Sequence, residues 1–401
     1  MHPELNILCF CAYPFPAHPG ETLFCGGQYH PFYLTWALAE LGVNLHVIAR
    51  QQPDQPAQQR IKGLTVHRYP STYHWGGHRR GITFSGKRLR LVMQQCSRQK
   101  FSWAITFSPL TRELDLLQQH EISLCYMVPG VNRGFLKNLG NRPLDILRKM
   151  AIRHISLPLF KKNIAAAKLI FANCASDANL LTRHFQPPCP VQINRNGVNT
   201  QLYRPIPKEE RTNTFLCVGR FAREKGFHDT LHAAVTCCRE NPSIRFHFIG
   251  FIDDRNYFNK IKKQIADLAL KNHIDLDPNV PEEKMPSYFA RARALICYSN
   301  GYDPLPSVIY QAMACGLPVI STDWPSRSEV IEHEINGLLV PPGRIDLLIQ
   351  AIRRLSDYEA HAFAMGENAR KTVCEKHDFT KLAQDILAHL HRAGHAGPVL
   401  S

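Results

Sequence analysis

Short apolar runs alternate with stretches of helical periodicity from one end of this chain to the other, and that alternation leaves few folds open. A short apolar run, an amphipathic stretch and then another run predict parallel strands joined by covering helices, the α/β class. Leu5 to Ala12 reads as a first strand. The helix after it carries Phe32, Leu34, Trp36, Leu38 and Leu41 before Gly42 ends it, and Asn44 to Ala49 is the next strand. Further strands are predicted at Ser102 to Phe107, Ser123 to Val128, Leu169 to Asn173 and Val191 to Asn194. Between Pro143 and Lys168 apolar residues return at helical spacing, with Pro158 expected to break or kink the run.

The segment Tyr203 to Asn213 holds Pro205 and Pro207 and few apolar residues, which marks a linker. After it the rhythm restarts. Strands are predicted at 214–218, 244–249, 294–299, 318–322 and 338–340, with helices near 227–240, 255–271, 307–315, 344–355, 358–375 and 380–393. At 401 residues the chain exceeds what one core usually serves, so two domains are expected, 1–204 and 205–376, followed by a last helix at about 377–395.

Charge is unevenly placed. The net charge is +15, and no acid stands between Asp54 and Glu113, a stretch that holds Arg60, Arg68, Lys87, Arg88, Arg90 and Arg98 among others. Arg148, Lys149, Arg153, Lys161, Lys162 and Lys168 repeat the pattern between Asp145 and Asp177. A basic first half implies an anionic partner: nucleic acid, a phosphorylated acceptor or an acidic lipid surface. An ordinary solvated basic face is the plain alternative. Nucleic acid is not expected, because Tyr69, Tyr73, Trp75 and Phe84 form no recognisable binding module. Thirteen scattered cysteines without CxxC pairs predict reduced, buried thiols in a cytoplasm, and twenty histidines without HExxH spacing predict no metal site. No run approaches the ~20 apolar residues of a membrane helix. Glu4 stands where a signal peptide wants basic residues, so export is not expected.

Two stretches carry chemistry. Thr214 to Val218 runs straight into Gly219-Arg220, and Lys225-Gly226 follow before a helix beginning near Phe227. A buried strand opening onto glycine brings backbone close to whatever lies at its carboxyl end. Two fixed cations there suit a diphosphate that must leave carrying negative charge. A βα loop with two solvated basic residues would look the same in isolation. In the second stretch a strand ends at Ser299, a polar loop holds Asp303, and a helix starts near Ser307, a favoured N-cap type. Gly316 and Pro318 close that helix. Free N–H groups at its start can hold phosphate oxygens. Gln311, one turn in on Ser307's face, can reach a ribose hydroxyl while Asp303 reaches a sugar hydroxyl. An ordinary, well-capped strand–helix corner accounts for this stretch equally well when it is taken alone.

Together the pieces resemble the retaining nucleotide-sugar glycosyltransferases of family 4 over nearly the whole chain. Cys25-Gly26-Gly27-Gln28 is similar to the family's amino-terminal GG loop, and Asn196-Gly197-Val198-Asn199 to its "pNGvD" segment. Gly219-Arg220 with Lys225-Gly226 is similar to "GR…KG", and Asp303 through Gly316 to "EGLPxVxxEAMAxG". Glu329 and Asn336-Gly337 complete the pattern. The resemblance implies the GT-B fold: two Rossmann-like domains with parallel sheets facing across a cleft, and a C-terminal helix returning to the first domain.

It also implies roles. Arg220 and Lys225 would bind the donor diphosphate and stabilise it as it leaves, Asp303 would contact the transferred sugar, and Gln311 the ribose. Gly26, Gly27 and Gly219, with backbone around Leu305, Pro306, Ser307 and Val308, would line the donor site. No permanent cofactor and no metal is implied, with a UDP- or GDP-sugar as co-substrate. The implied partners are that donor, a saccharide or lipid-linked acceptor and an anionic membrane surface; the implied location is the cytoplasmic face of the membrane. The chain departs from the family in four places. Asp303 and Gln311 replace glutamates, Pro129 stands where a histidine is usual, and Leu276 to Val280 lacks the glycine of a loop flanking the nucleobase. A non-catalytic GT-B protein that binds nucleotide-sugar or partners an active transferase is the alternative reading.

Overall fold

The computed structural model describes residues 5–15, 26–52, 55–61, 63–70, 86–128, 152–207, 210–300 and 305–395. They divide into two compact units, one within Met1–His18, Pro31–Arg195 and Leu382–Ser401, the other within Pro19–His30 and Asn196–Lys381.

In the first unit the described strands form an eight-stranded sheet: β1 (Asn6–Pro14), β2 (Asn44–Arg50), β3 (Gln58–Ile61), β4 (Leu64–Tyr69), β5 (Trp103–Thr106), β6 (Ser123–Val128), β7 (Ala167–Ala172) and β8 (Val191–Ile193). Their order is β3-β4-β2-β1-β5-β6-β7-β8. All neighbours run parallel except β3, which pairs antiparallel with β4. That hairpin was not expected, because Gln58-Gln-Arg-Ile61 shows no apolar run. Helices α1 (Gly26–Glu40), α2 (Gly86–Arg98), α3 (Arg112–Gln119), α4 (Leu157–Ala166) and α5 (Ala175–Phe185) follow strands as the rhythm predicts. Pro158 sits in the first turn of α4, directly after a π-helical turn at Ile152–Ser156, so the regular α-helix begins next to the proline. Two of the basic residues expected on the surface are internal. Arg88 is buried and pairs with Glu113 at 2.7 Å, and Arg68 is buried against the Phe15 and Pro56 carbonyls.

The second unit carries β9 (Thr214–Val218), β10 (Arg245–Gly250), β11 (Ile274–Pro278), β12 (Ala294–Cys297), β13 (Val319–Thr322) and β14 (Gly337–Val340), all parallel, in the order β11-β10-β9-β12-β13-β14. Helices α6 (Phe227–Glu240), α7 (Arg255–Asp267), α8 (Met285–Arg291), α9 (Ser307–Ala314), α10 (Ile345–Asp357) and α11 (Glu359–Lys376) complete it. One core joins alternate strand residues Phe215, Cys217, Phe246 and Phe248 to Leu231, Ile261, Leu348 and Ile352 from the helices. The final helix, α12 (Phe379–His395), takes the chain back into the first unit, where His389 meets Phe171 edge-on at 5.4 Å.

Candidate functional site

From β9 the chain moves outward to β10 and β11, then returns to β12 on the other side of β9. That reversal makes the carboxyl ends of β9 and β12 a topological switch point, where open α/β sheets bind ligands. The loops leaving these strands are the two that carry the sequence signals. They meet directly, as Asn300 N–H donates to Glu224 O at 3.0 Å.

The first loop is shaped by close backbone approach. A Cβ on Gly250 would fall 1.7 Å from Gly219 O, so glycine lets the β9 and β10 ends press together. Gly226, at φ +70°, follows a 3-10 turn at Arg223–Lys225, and a Cβ there would fall 1.7 Å from Tyr298 O. Between these glycines sits Arg220. Its guanidinium is held by two carboxylates: Nη1 donates to the Asp253 carboxylate and Nη2 to Glu224 Oε1 at 2.9 Å. Asp253 escaped the sequence reading because only the β9–β10 pairing brings it close. The Lys225 stem packs along Gly219, its Cδ 3.6 Å from an added Cβ.

Behind the second loop, Ser299 is fixed from three sides. Its carbonyl accepts from Thr322 Oγ1 at 3.1 Å and Trp324 Nε1 at 3.3 Å, and its hydroxyl receives Arg327 Nη2 at 3.3 Å. Arg327 is fully buried, also donating to Cys297 Sγ and Ser321 Oγ. Nothing in its sequence neighbourhood signalled this. Asp303 lies outside the described residues, as do Pro129 and Cys25. Leu305 O accepts from Asn196 Nδ2 at 2.6 Å, which gives the asparagine of the "NG" segment a physical task. Pro306, not Ser307, occupies the N-cap of α9; Ser307 is the first helical residue and makes no side-chain cap bond. Proline's extended ψ of 139° turns the chain into the helix without a side-chain acceptor. Val308 follows in that first turn. Gln311 lies one turn further in and is only 6% exposed. Gly26 and Gly27 are the first two residues of α1.

The glycine missing after β11 is replaced. Asn279 takes φ +59°, a region asparagine tolerates, and its N–H donates to Gly250 O at 2.7 Å.

Two parallel sheets wound with helices, joined in sequence by a linker and by a returning last helix, define the GT-B class of fold. A glycosyltransferase family 4 model matches residues 24–202 and a glycosyl transferases group 1 model matches 199–372; this chain belongs to that glycosyltransferase family. It is 25% identical over 278 residues to the amylovoran biosynthesis glycosyltransferase AmsK of Erwinia amylovora, covering 68% of this chain and 64% of that protein. It is 27% identical over 222 residues to a GDP-mannose-dependent alpha-(1-6)-phosphatidylinositol monomannoside mannosyltransferase of Mycobacterium tuberculosis, covering 50% and 56%. The chain therefore spans about half to two thirds of these relatives' length. Among solved structures, sucrose-phosphate synthase from Thermosynechococcus elongatus shares the fold with a TM-score of 0.78 at 20% identity, over 97% of this chain and 98% of that one.

Proposed function

We propose that this chain is a retaining, metal-independent glycosyltransferase. It moves a sugar from a UDP- or GDP-linked donor to a hydroxyl of a saccharide or lipid-linked acceptor, in envelope glycan synthesis at the cytoplasmic membrane face. The observation that carries the reading is the meeting of the Arg220–Lys225 loop and the loop leading to α9 at one switch point. Names of the relatives in amylovoran and phosphatidylinositol mannoside synthesis support the glycan class.

The acceptor hydroxyl attacks on the face from which the nucleotide leaves, through an oxocarbenium-like transition state. A bond to the acceptor oxygen forms as the bond to the β-phosphate oxygen breaks, and that phosphate takes the proton. No protein nucleophile is needed. Arg220 and Lys225 stabilise the charge that develops on the departing diphosphate, an interaction stronger in the transition state than in the bound donor. Asp303 positions the sugar and Gln311 the ribose. Gly26, Gly27 and Gly219 leave room for the donor, and the N–H groups from Ser307 onward meet its phosphate. Domain boundaries at 1–204 and 205–376 belong to the same reading, acceptor on the first domain and donor on the second.

A thermal-shift panel of UDP- and GDP-sugars tests it, since a site-specific ligand raises apparent stability by mass action. One nucleotide series should shift the unfolding midpoint, and transfer to a crude lipid acceptor should persist in EDTA. Donor binding without turnover would favour the non-catalytic reading, which the uncharged, nearly buried Gln311 motivates.

A further inference from the structure

Asn300 is the last described residue before the α9 loop, and it is bonded wholly to the other loop and its helix. Its N–H donates to Glu224 O at 3.0 Å. Its Nδ2 donates to the Asp229 carboxylate and lies 3.2 Å from His228 Nε2. His228 Nδ1 is in turn 3.1 Å from Tyr257 OH. Glu224 also accepts from Arg220, so one chain of contacts runs from Asn300 to the guanidinium. Burial lowers the His228 pKa, opposed by Asp229 and aided by Arg223, His232 and Lys260, which favours the neutral ring; in the tautomer whose Nδ1–H points to Tyr257 OH, Nε2 accepts from the amide.

We propose that Asn300 is a positioning residue that clasps the Arg220–Lys225 loop through Asp229 and His228 and so holds the two cations where a nucleoside diphosphate meets them. This rests on the reading of that loop as the diphosphate site. An amide is required there because it faces a carboxylate with a donor. Aspartate, the same shape, would face Asp229 with a second negative charge.

The test is titration calorimetry of wild type, Asn300→Asp, Asp229→Asn and the double variant with UDP, GDP and the corresponding monophosphates, alongside thermal unfolding. Asn300→Asp should weaken the nucleoside diphosphate roughly tenfold and the monophosphate far less, with the unfolding midpoint nearly unchanged. Exchanging both groups restores a donor–acceptor pair, so the double variant should recover most of the affinity. Asn300→Ala, which removes the donor without adding charge, should give a smaller loss in the same direction and serves if Asn300→Asp does not fold. Unchanged diphosphate affinity, equal losses for both phosphate lengths, or no recovery on exchange would overturn the inference while leaving the site reading standing. Failure of wild type to bind UDP or GDP would overturn both.

Discussion

At Arg220 the protein balances a cation before any ligand arrives. Asp253 and Glu224 occupy two of its donors, which fixes a long side chain that would otherwise lose rotamer freedom on binding. The stem of Lys225 packs along Gly219. If its ammonium meets the departing diphosphate as proposed, Lys225→Ala should lower kcat/KM by about 10²-fold or more, the scale of a removed transition-state donor, with a small change in unfolding midpoint. A transfer assay that showed an unaffected rate would remove Lys225 from the donor site. Gln311→Glu should keep or raise donor affinity in the same titration, and complete loss would mean position 311 does not face the ribose. A different pair contributes to acid stability. His46 and His67 stack with ring centroids 5.2 Å apart and nitrogens 2.9 Å apart, with Gln99 Nε2 2.9 Å from His46. Burial, then His46 and Arg98, push His67 down to about 4, and burial lowers His46 too. Unfolded, both titrate near ~6.5. Below that value the unfolded chain takes up protons the folded one refuses, so stability falls as pH drops from about 6.5 towards about 4. His67→Gln should flatten this fall by on the order of 1–2 kcal/mol, read as urea midpoints on either side of the window.

Elements carry the site into place, and α9 shows how. Its last carbonyls are capped by two arginines from distant sequence: Arg211 donates to Gly316 O at 2.8 Å and Cys315 O at 3.0 Å, and Arg370 to Ala314 O and Tyr203 O. Cations at a helix carboxyl end are favourable with the macrodipole, and these also satisfy otherwise orphaned carbonyls. Arg370→Ala should cost about 1–3 kcal/mol, read in chemical denaturation, without changing which nucleotide binds. How much of this was legible follows from the same contrast. Strands β9 and β12 and the starts of α6 and α9 were readable because apolar runs, glycines and a proline mark them locally. The β3–β4 hairpin was not, since its outer strand is polar. Arg220's carboxylate partner, the buried Arg327 and the Pro306 cap depend on pairing across the sheet or on backbone angles, and residue spacing does not encode either.

Across the whole chain, the +15 charge is not all available to a partner. Arg68 and Arg88 are spent internally, whereas Lys87, Arg90 and Arg98 stand exposed on α2 together with Met93, which is 51% exposed. A basic helix face with an apolar side chain among its cations is suited to an anionic interface, where each Lys or Arg contributes about 1 kcal/mol. No helix among the described residues is long and apolar enough to cross a membrane. Sedimentation with vesicles containing phosphatidylglycerol should accordingly pellet the protein at low salt and release it as ionic strength rises and the Debye length shrinks. Lys87→Glu with Arg90→Glu reverses two charges on that face, and should weaken vesicle binding by more than tenfold at fixed salt. Both residues are exposed, so the unfolding midpoint should hold. Pelleting that ignored salt, or that survived the double reversal, would assign the basic excess to solvation alone.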